Sequence, residues 1–313
     1  MATPRVATAR ATRRVAPTRR ARRVATRARA DADARDGADG TTSRRRALAR
    51  VVGCACACAG PPTRDARAMV RLIAPDAANE ARYDVERSRA RDEAFAKGMA
   101  TMMGGFEDAV EARKTALIRE VFAAYDGVAE LTVCEIGSGS APNSAYYVNA
   151  PRGPKALDWV AVDPNDAARA YAEANVAKHN GGDGRRREIR ARFVHGVGEA
   201  LPLPDASVDV VVSTLTLCSV LDQRRTLREI RRVLKPGGRF LFLEHVLSRD
   251  PNLAKVQIAL TPMQISVADG CHLDRRTLDE IETSGLFASV NAEYYELDGF
   301  WVIAPQVAGI AVA

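Results

Sequence analysis

An apolar run, Leu131 to Ile136, ends abruptly in Gly137-Ser138-Gly139-Ser140, with an acid, Glu135, just before the break. The run reads as a short buried strand. Two glycines spaced by one residue let bare backbone approach a ligand, because glycine carries no side chain and tolerates positive φ. The segment after them, Ala141 to Ala150, can restart as a helix. A strand that turns through glycines into a helix opens an α/β sheet.

The rest of the chain follows that opening. Strand two is predicted over Asp158–Val162, three over Arg190–His195, four over Val208–Leu215 and five over Arg239–His245. Strand four is apolar throughout, as a parallel strand buried on both faces is. Helices are predicted over Asp166–Lys178, Asp222–Leu234, Asn252–Leu260 and Arg275–Ser284, with an irregular stretch at Thr261–Leu273. Leu227, Ile230, Val233 and Leu234 share one face of their helix. Gly181 to Arg187 is a polar loop. Ala288–Leu297 and Trp301–Val312 close the chain as a hairpin turning at Asp298-Gly299. Upstream, Asp76–Ala100 and Phe106–Tyr125 read as two helices lying over one side of the sheet. Met99, Met102, Met103 and Phe106 there pack in the core or line an entrance.

In an open parallel sheet the ligand lies beyond the carboxyl ends of the strands. Glu135 and the glycines stand at the first end. Asp163 stands at the second, where a carboxylate can accept both ribose hydroxyls, and Gly198-Glu199 at the third can edge an adenine. Dinucleotide sites ask for G-x-G-x-x-G, but position 142 is Pro. Glu135 would repel a pyrophosphate and suits a cationic ligand end. A nucleoside with an ammonium, a sulfonium and no phosphate meets these requirements, and that is S-adenosylmethionine.

Glu135-x-Gly137-x-Gly139, Val162-Asp163-Pro164-Asn165, Pro202-Leu203-Pro204-Asp205-x-Ser207-Val208-Asp209 and Arg232 to Gly238 together resemble the class I S-adenosylmethionine-dependent methyltransferases of the type 11 group. Ser213 to Val220, Glu244-His245-Val246 and Asp269 to Leu273 resemble a narrower group, the alkyl-thiol S-methyltransferases and their plant chloroplast relatives. The resemblance spans about residues 100–313. It implies a Rossmann-like, mostly parallel seven-stranded sheet with a C-terminal antiparallel hairpin and helices on both faces. It implies that Glu135, Gly137, Ser138 and Gly139 cradle the methionine part, and that Asp163 holds the ribose with Pro164 and Asn165 beside the adenine. Gly198 and Glu199 then edge the adenine, and Thr214 and Leu215 lie under the methionine end. Ala141 replaces a common third glycine, and Val197 replaces an acid that bonds the adenine amino group. The activity implied is methyl transfer to a small or lipophilic acceptor, a thiol by resemblance. The candidate bases are His245, Asp269 and His272. Cys218 and Cys271 read as buried small hydrophobes, and no metal is expected. The rivals are an NAD-linked oxidoreductase and a catalytically silent S-adenosylmethionine-binding protein.

Charge divides the chain. Residues 1–50 hold fifteen Arg and four Asp, so the leader carries +11 of an overall +7 and the rest carries −4. A nucleic-acid footprint needs a basic folded domain, and the position after strand four, Ser213-Thr214-Leu215-Thr216, lacks the Pro-rich tetrad that presents a base amino group. Nucleic acid is therefore not an expected partner. Residues 1–30 have no acid and match an organelle transit peptide, read as chloroplast with mitochondrion as the alternative. Twin arginines before Val51 to Ala59 resemble a lumen signal. Cys54, Cys56 and Cys58 offer only three ligands, a poor metal site in a segment expected to be removed. The expected division is a leader over 1–74, an N-terminal helical lid over 75–127 and the methyltransferase domain over 128–313. The expected form is a monomer without a transmembrane span, able to touch a membrane peripherally.

Overall fold

The computed structural model describes residues 69–180 and 187–313. The transit-peptide and twin-arginine segments, Cys54, Cys56 and Cys58, and all but the end of the Gly181–Arg187 loop lie outside the described residues.

Seven strands form one sheet: β1 (Glu130–Ile136), β2 (Ala156–Asp163), β3 (Glu188–His195), β4 (Val208–Thr214), β5 (Leu234–His245), β6 (Ser289–Glu296) and β7 (Pro305–Val312). Their spatial order is β3-β2-β1-β4-β5-β7-β6. The first five are parallel, and β7 runs antiparallel between β5 and β6. Strand order reverses at β1 and β4, so the crevice expected of such a sheet opens at their carboxyl ends. Val210, Val211 and Val212 of β4 are all buried, which agrees with a central strand covered on both faces.

Eight helices complete the described chain: α1 (Ala77–Tyr83), α2 (Arg89–Met102), α3 (Gly104–Ala123), α4 (Ser144–Asn149), α5 (Arg169–Asn180), α6 (Gln223–Val233), α7 (Pro251–Val267) and α8 (Thr277–Thr283). On one face Leu227, Ile230 and Val233 of α6 and Ile281 of α8 pack on Ile136, Val211 and Phe242. On the other, Ile118, Val121 and Phe122 of α3 pack with Tyr147 of α4 and Val176 of α5 on Val133 and Trp159. Each such side chain contributes about 1.5–3 kcal/mol by leaving water. Asp222 starts α6 by accepting from Arg225 N at 2.9 Å.

Four expectations change. The helix expected over Asp76–Ala100 is two helices, α1 and α2, because Asp84 leaves helical geometry and Tyr83 to Ser88 turn toward the sheet. Tyr83 Oη donates to Asp222, Asp84 pairs with His195, and Arg87 pairs with Asp269. Long-range partners override helix propensity there. The stretch from Thr261 is helical to Val267, through Pro262. α7 is anchored by buried Gln257, which accepts from Ser248 N and donates to Val246 O and Val302 O. The last strand starts at Pro305, because Trp301–Ile303 form a 3-10 turn. Trp301 is therefore 66% exposed, whereas Phe300 packs edge-on against Phe106. Finally, residues 70–73, expected in the leader, have partners beside the sheet. Val70 N donates to Asp158, Arg192 donates to Val70 O, and Ile73 N donates to Pro202 O, so this segment already belongs to the sheet's surroundings.

Of the four side chains proposed for core or entrance, Phe106 is buried and Met103 packs beside it, Met99 lines the cleft described next, and Met102 is exposed.

Candidate active site

A cleft of about 390 Å³ lies at the carboxyl ends of β1, β2 and β4, a volume suited to a cofactor-sized molecule. Its floor is the glycine turn. Gly137 has φ +61°, and a Cβ there would stand 2.8 Å from Thr216 Cβ. Thr216 fills that space because its hydroxyl donates to Ile136 O at 3.1 Å. Buried Glu244 fixes the same turn by accepting from Ser213 Oγ and Thr216 N. The ends of β1 and β4 are thus joined through a contact that only glycine permits.

Asp163, the last residue of β2, holds the turn from the other side. One carboxylate oxygen accepts from Gly139 N at 2.8 Å, the other from Asn165 N at 2.8 Å. Burial raises its pKa against these bonds. Each carboxylate oxygen retains a further lone pair for a ligand hydroxyl. Gly139, Asp163, Pro164, Asn165, Gly198, Glu199, Thr214 and Leu215 all face the cleft, as does Gly137. Two of these side chains are already engaged elsewhere. Asn165 donates to Asp92 O and accepts from Ala167 N, and Glu199 accepts from Asp222 N at 2.9 Å.

Glu135 differs from its expected role. It does not line the cleft. Its oxygens accept from Asn143 Nδ2 at 2.9 Å and Tyr147 Oη at 2.6 Å. Burial pushes its pKa up to about 7. It acts on the cleft through Asn143, which also donates to Thr214 Oγ1 at 2.8 Å. Asn143 Oδ1 is buried without a partner, an acceptor left over beside the cleft wall. Ser138 is likewise buried in the turn and faces away from the cleft. Ala141, in the place of a third glycine, takes φ +58°, so that replacement carries backbone strain.

The three candidate bases separate. Asp269 lines the cleft, but its carboxylate is held by Arg87 at 2.6 Å. Arg87 also pairs with Asp92 at 2.8 Å, and these two acids, opposed by burial, raise the guanidinium's pKa. His245 is buried behind the wall, with Nε2 2.9 Å from Cys271 Sγ. His272 also stands outside the cleft, its Nδ1 near Gly270 O and Cys218 O. The two histidines therefore do not reach a substrate placed in the cleft.

The residues that escaped the sequence reading are those that cover it. Tyr83 to Ser88, with Arg91 and Phe95 of α2, line it beside the expected Met99, and Ile265 and Gly270 line it beside the expected Asp269. Arg87–Asp269 and a bond from Arg91 to Ser266 O tie the walls together. A single signal for this break stood in the sequence: Ser88, an N-cap residue type, with Asp92 in the turn after it.

The arrangement fits a nucleoside-bearing ligand. Asp163 keeps acceptor capacity toward the cleft, and the glycine turn leaves room for backbone approach. A methyltransferase domain family matches residues 134–242. The rat thiol S-methyltransferase TMT1B (Rattus norvegicus) is 34% identical over 217 residues, covering 68% of this chain and 84% of that protein. Human thiol S-methyltransferase TMT1A (Homo sapiens) is 33% identical, covering 58% of this chain and 71% of that protein. Among solved structures, YcgJ of Bacillus subtilis aligns with a TM-score of 0.47 at 18% identity, over 64% of this chain and 96% of that one. The identity shared across most of the TMT1B chain, on a sheet of this order, places the protein among the class I S-adenosylmethionine-dependent methyltransferases, in the family of the thiol S-methyltransferases.

Proposed function

We propose that this methyltransferase acts on the sulfur of a small lipophilic thiol that enters between α2 and the Ile265–Gly270 segment. The observation that carries the reading is the composition of that entrance. Phe95, Met99, Val85, Leu221 and Ile265 are apolar, with Arg87 and Arg91 set among them. The relatives' activity on thiols supports the same choice.

When bound, S-adenosylmethionine supplies a methyl carbon that bonds to the acceptor sulfur as its bond to the sulfonium sulfur breaks. The chain's own part is to bind, orient and exclude water. In this reading Asp163 accepts the ribose hydroxyls, Pro164 and Asn165 flank the adenine, and Gly198 and Glu199 edge it. Gly137, Gly139, Thr214 and Leu215 bed the methionine end. Ser138 and Glu135 act from behind the turn. The acceptor thiol must lose its proton, because the thiolate is the nucleophile. Arg87 is already neutralised by Asp92 and Asp269, and the proton leaves to solvent. Asp269, already paired with Arg87, serves to position that cation rather than as a free base.

The test is transfer of label from S-adenosylmethionine to a panel of alkyl thiols, phenols, quinones and lipids, using the full chain. Label recovered as a methyl thioether is the expected result. Label on oxygen or carbon acceptors only, with cofactor binding intact, overturns the thiol assignment. Binding without transfer to any acceptor identifies a silent binding protein. For the leader we propose plastid import. A fluorescent fusion of residues 1–74 should enter chloroplasts, and mitochondrial or cytosolic fluorescence refutes it.

A further inference from the structure

We propose that Cys218, His245 and Cys271 form a binding site for one soft divalent cation of the zinc class. The three come from separate elements. Cys218 sits in the turn after β4, His245 ends β5, and Cys271 lies in the segment after α7. Their ligating atoms all lie within 4.8 Å of one another. All three side chains are buried, at 2%, 3% and 8% exposure. Nε2 is the nitrogen of the buried imidazole that is turned to the sulfurs, 2.9 Å from Cys271 Sγ.

The chemistry of the set selects the ion. Two sulfurs and one imidazole suit zinc, with hard cations such as magnesium or calcium excluded by the lack of oxygen donors. Two thiolates and a neutral imidazole carry −2, which a divalent cation neutralises inside a site too buried to hold net charge. Tetrahedral zinc, with bonds of about 2.3 Å to sulfur and 2.0 Å to nitrogen, sets those atoms roughly 3.5 Å apart. The 2.9 Å between His245 Nε2 and Cys271 Sγ must then open by about half an ångström as the ion replaces the proton between them. Gln264, whose side-chain amide lies 3.6 Å from Cys271 Sγ, stands beside the fourth position.

The ion would act as a staple. Cys218, His245 and Cys271 do not line the cleft, but Ser219 and Gly270, their chain neighbours, do. One cation bonded to Cys218 and Cys271 therefore holds the floor at the end of β4 against the wall that follows α7. This role is independent of which acceptor the enzyme methylates.

The full chain is purified under reducing conditions without chelator, and its metal is measured by mass spectrometry. The expected result is one zinc per chain. Chelator-treated wild type, titrated with cobalt(II), should develop a thiolate charge-transfer band that saturates at one equivalent. Cys218→Ser and Cys271→Ser should each lose the band while still binding S-adenosylmethionine in calorimetric titration. Because a serine variant can fail to fold, the wild-type metal content and cobalt titration decide. Less than about a tenth of an equivalent of metal together with no cobalt band overturns the proposal, as does a Cys218–Cys271 disulfide in the reduced protein.

Discussion

Replacing Asp163 by alanine tests the cofactor site at its most connected residue. Its carboxylate accepts from Gly139 N and Asn165 N, both at 2.8 Å, and in the proposed complex it also accepts from two ribose hydroxyls. Hydrogen bonds to a charged group contribute about 1.5–3 kcal/mol each. Losing the two ribose bonds removes roughly 3 kcal/mol or more, which is about a 150-fold loss of S-adenosylmethionine affinity. Losing the two backbone bonds acts separately, on the folded chain. It should lower the unfolding free energy by about 1–3 kcal/mol, since the amides of the turn regain water only in part. Isothermal titration reads the first effect and urea unfolding the second. Asp163→Asn keeps one acceptor oxygen and should fall between wild type and alanine in both assays. Affinity within threefold of wild type for Asp163→Ala would falsify the ribose assignment. A large affinity loss that tracks the stability loss across both variants would show that Asp163 only shapes the turn.

Three more predictions follow from neighbouring residues. Gly137→Ala adds a Cβ at φ +61° that meets Thr216, so it should destabilise by about 2–4 kcal/mol in urea unfolding, combining left-handed strain with overpacking; a loss under about 0.5 kcal/mol contradicts the β1–β4 contact. Glu135 has a folded pKa near 7, raised by burial from 4.5, so the fold favours its protonated form. Its contribution is whole below about pH 4.5 and is lost as pH rises through about 7, a swing of up to roughly 3 kcal/mol. Glu135→Gln should flatten stability across that window, and an unchanged pH slope rejects the shift. Arg87→Ala breaks the ties to Asp92 and Asp269 and should raise KM for the acceptor about tenfold, the worth of one charge-assisted hydrogen bond. Hydrogen exchange of residues 84–92 should quicken with it. Equal exchange in variant and wild type removes the argument that Arg87 holds this wall.

Residues close in sequence were legible where local physics governs them. The apolar runs of β1 and β4, the Asp222 cap of α6 and the Gly137–Gly139 turn each announce themselves within a few positions. Asp163 was legible because a strand end is a local feature and the sheet brings strand ends together. Glu135 was read correctly as an acid at the strand end but given the wrong contact. Its partners, Asn143 and Tyr147, lie 8 and 12 residues on, and α4 turns both back toward it.

What the sequence determined by itself was the sheet and, through its strand ends, the cofactor. Period and burial pattern are repeated many times along the chain and reinforce one another. Only the tertiary structure decided the cover of the cleft and the cysteine–histidine cluster. Helix propensity across residues 76–100 is nearly uniform, so the break at Asp84 came from His195, Asp222 and Asp269, which lie about 110 to 180 residues away. Cys218, His245 and Cys271 share no local spacing, and only the folding of β4, β5 and the segment after α7 against one another brings their ligating atoms together.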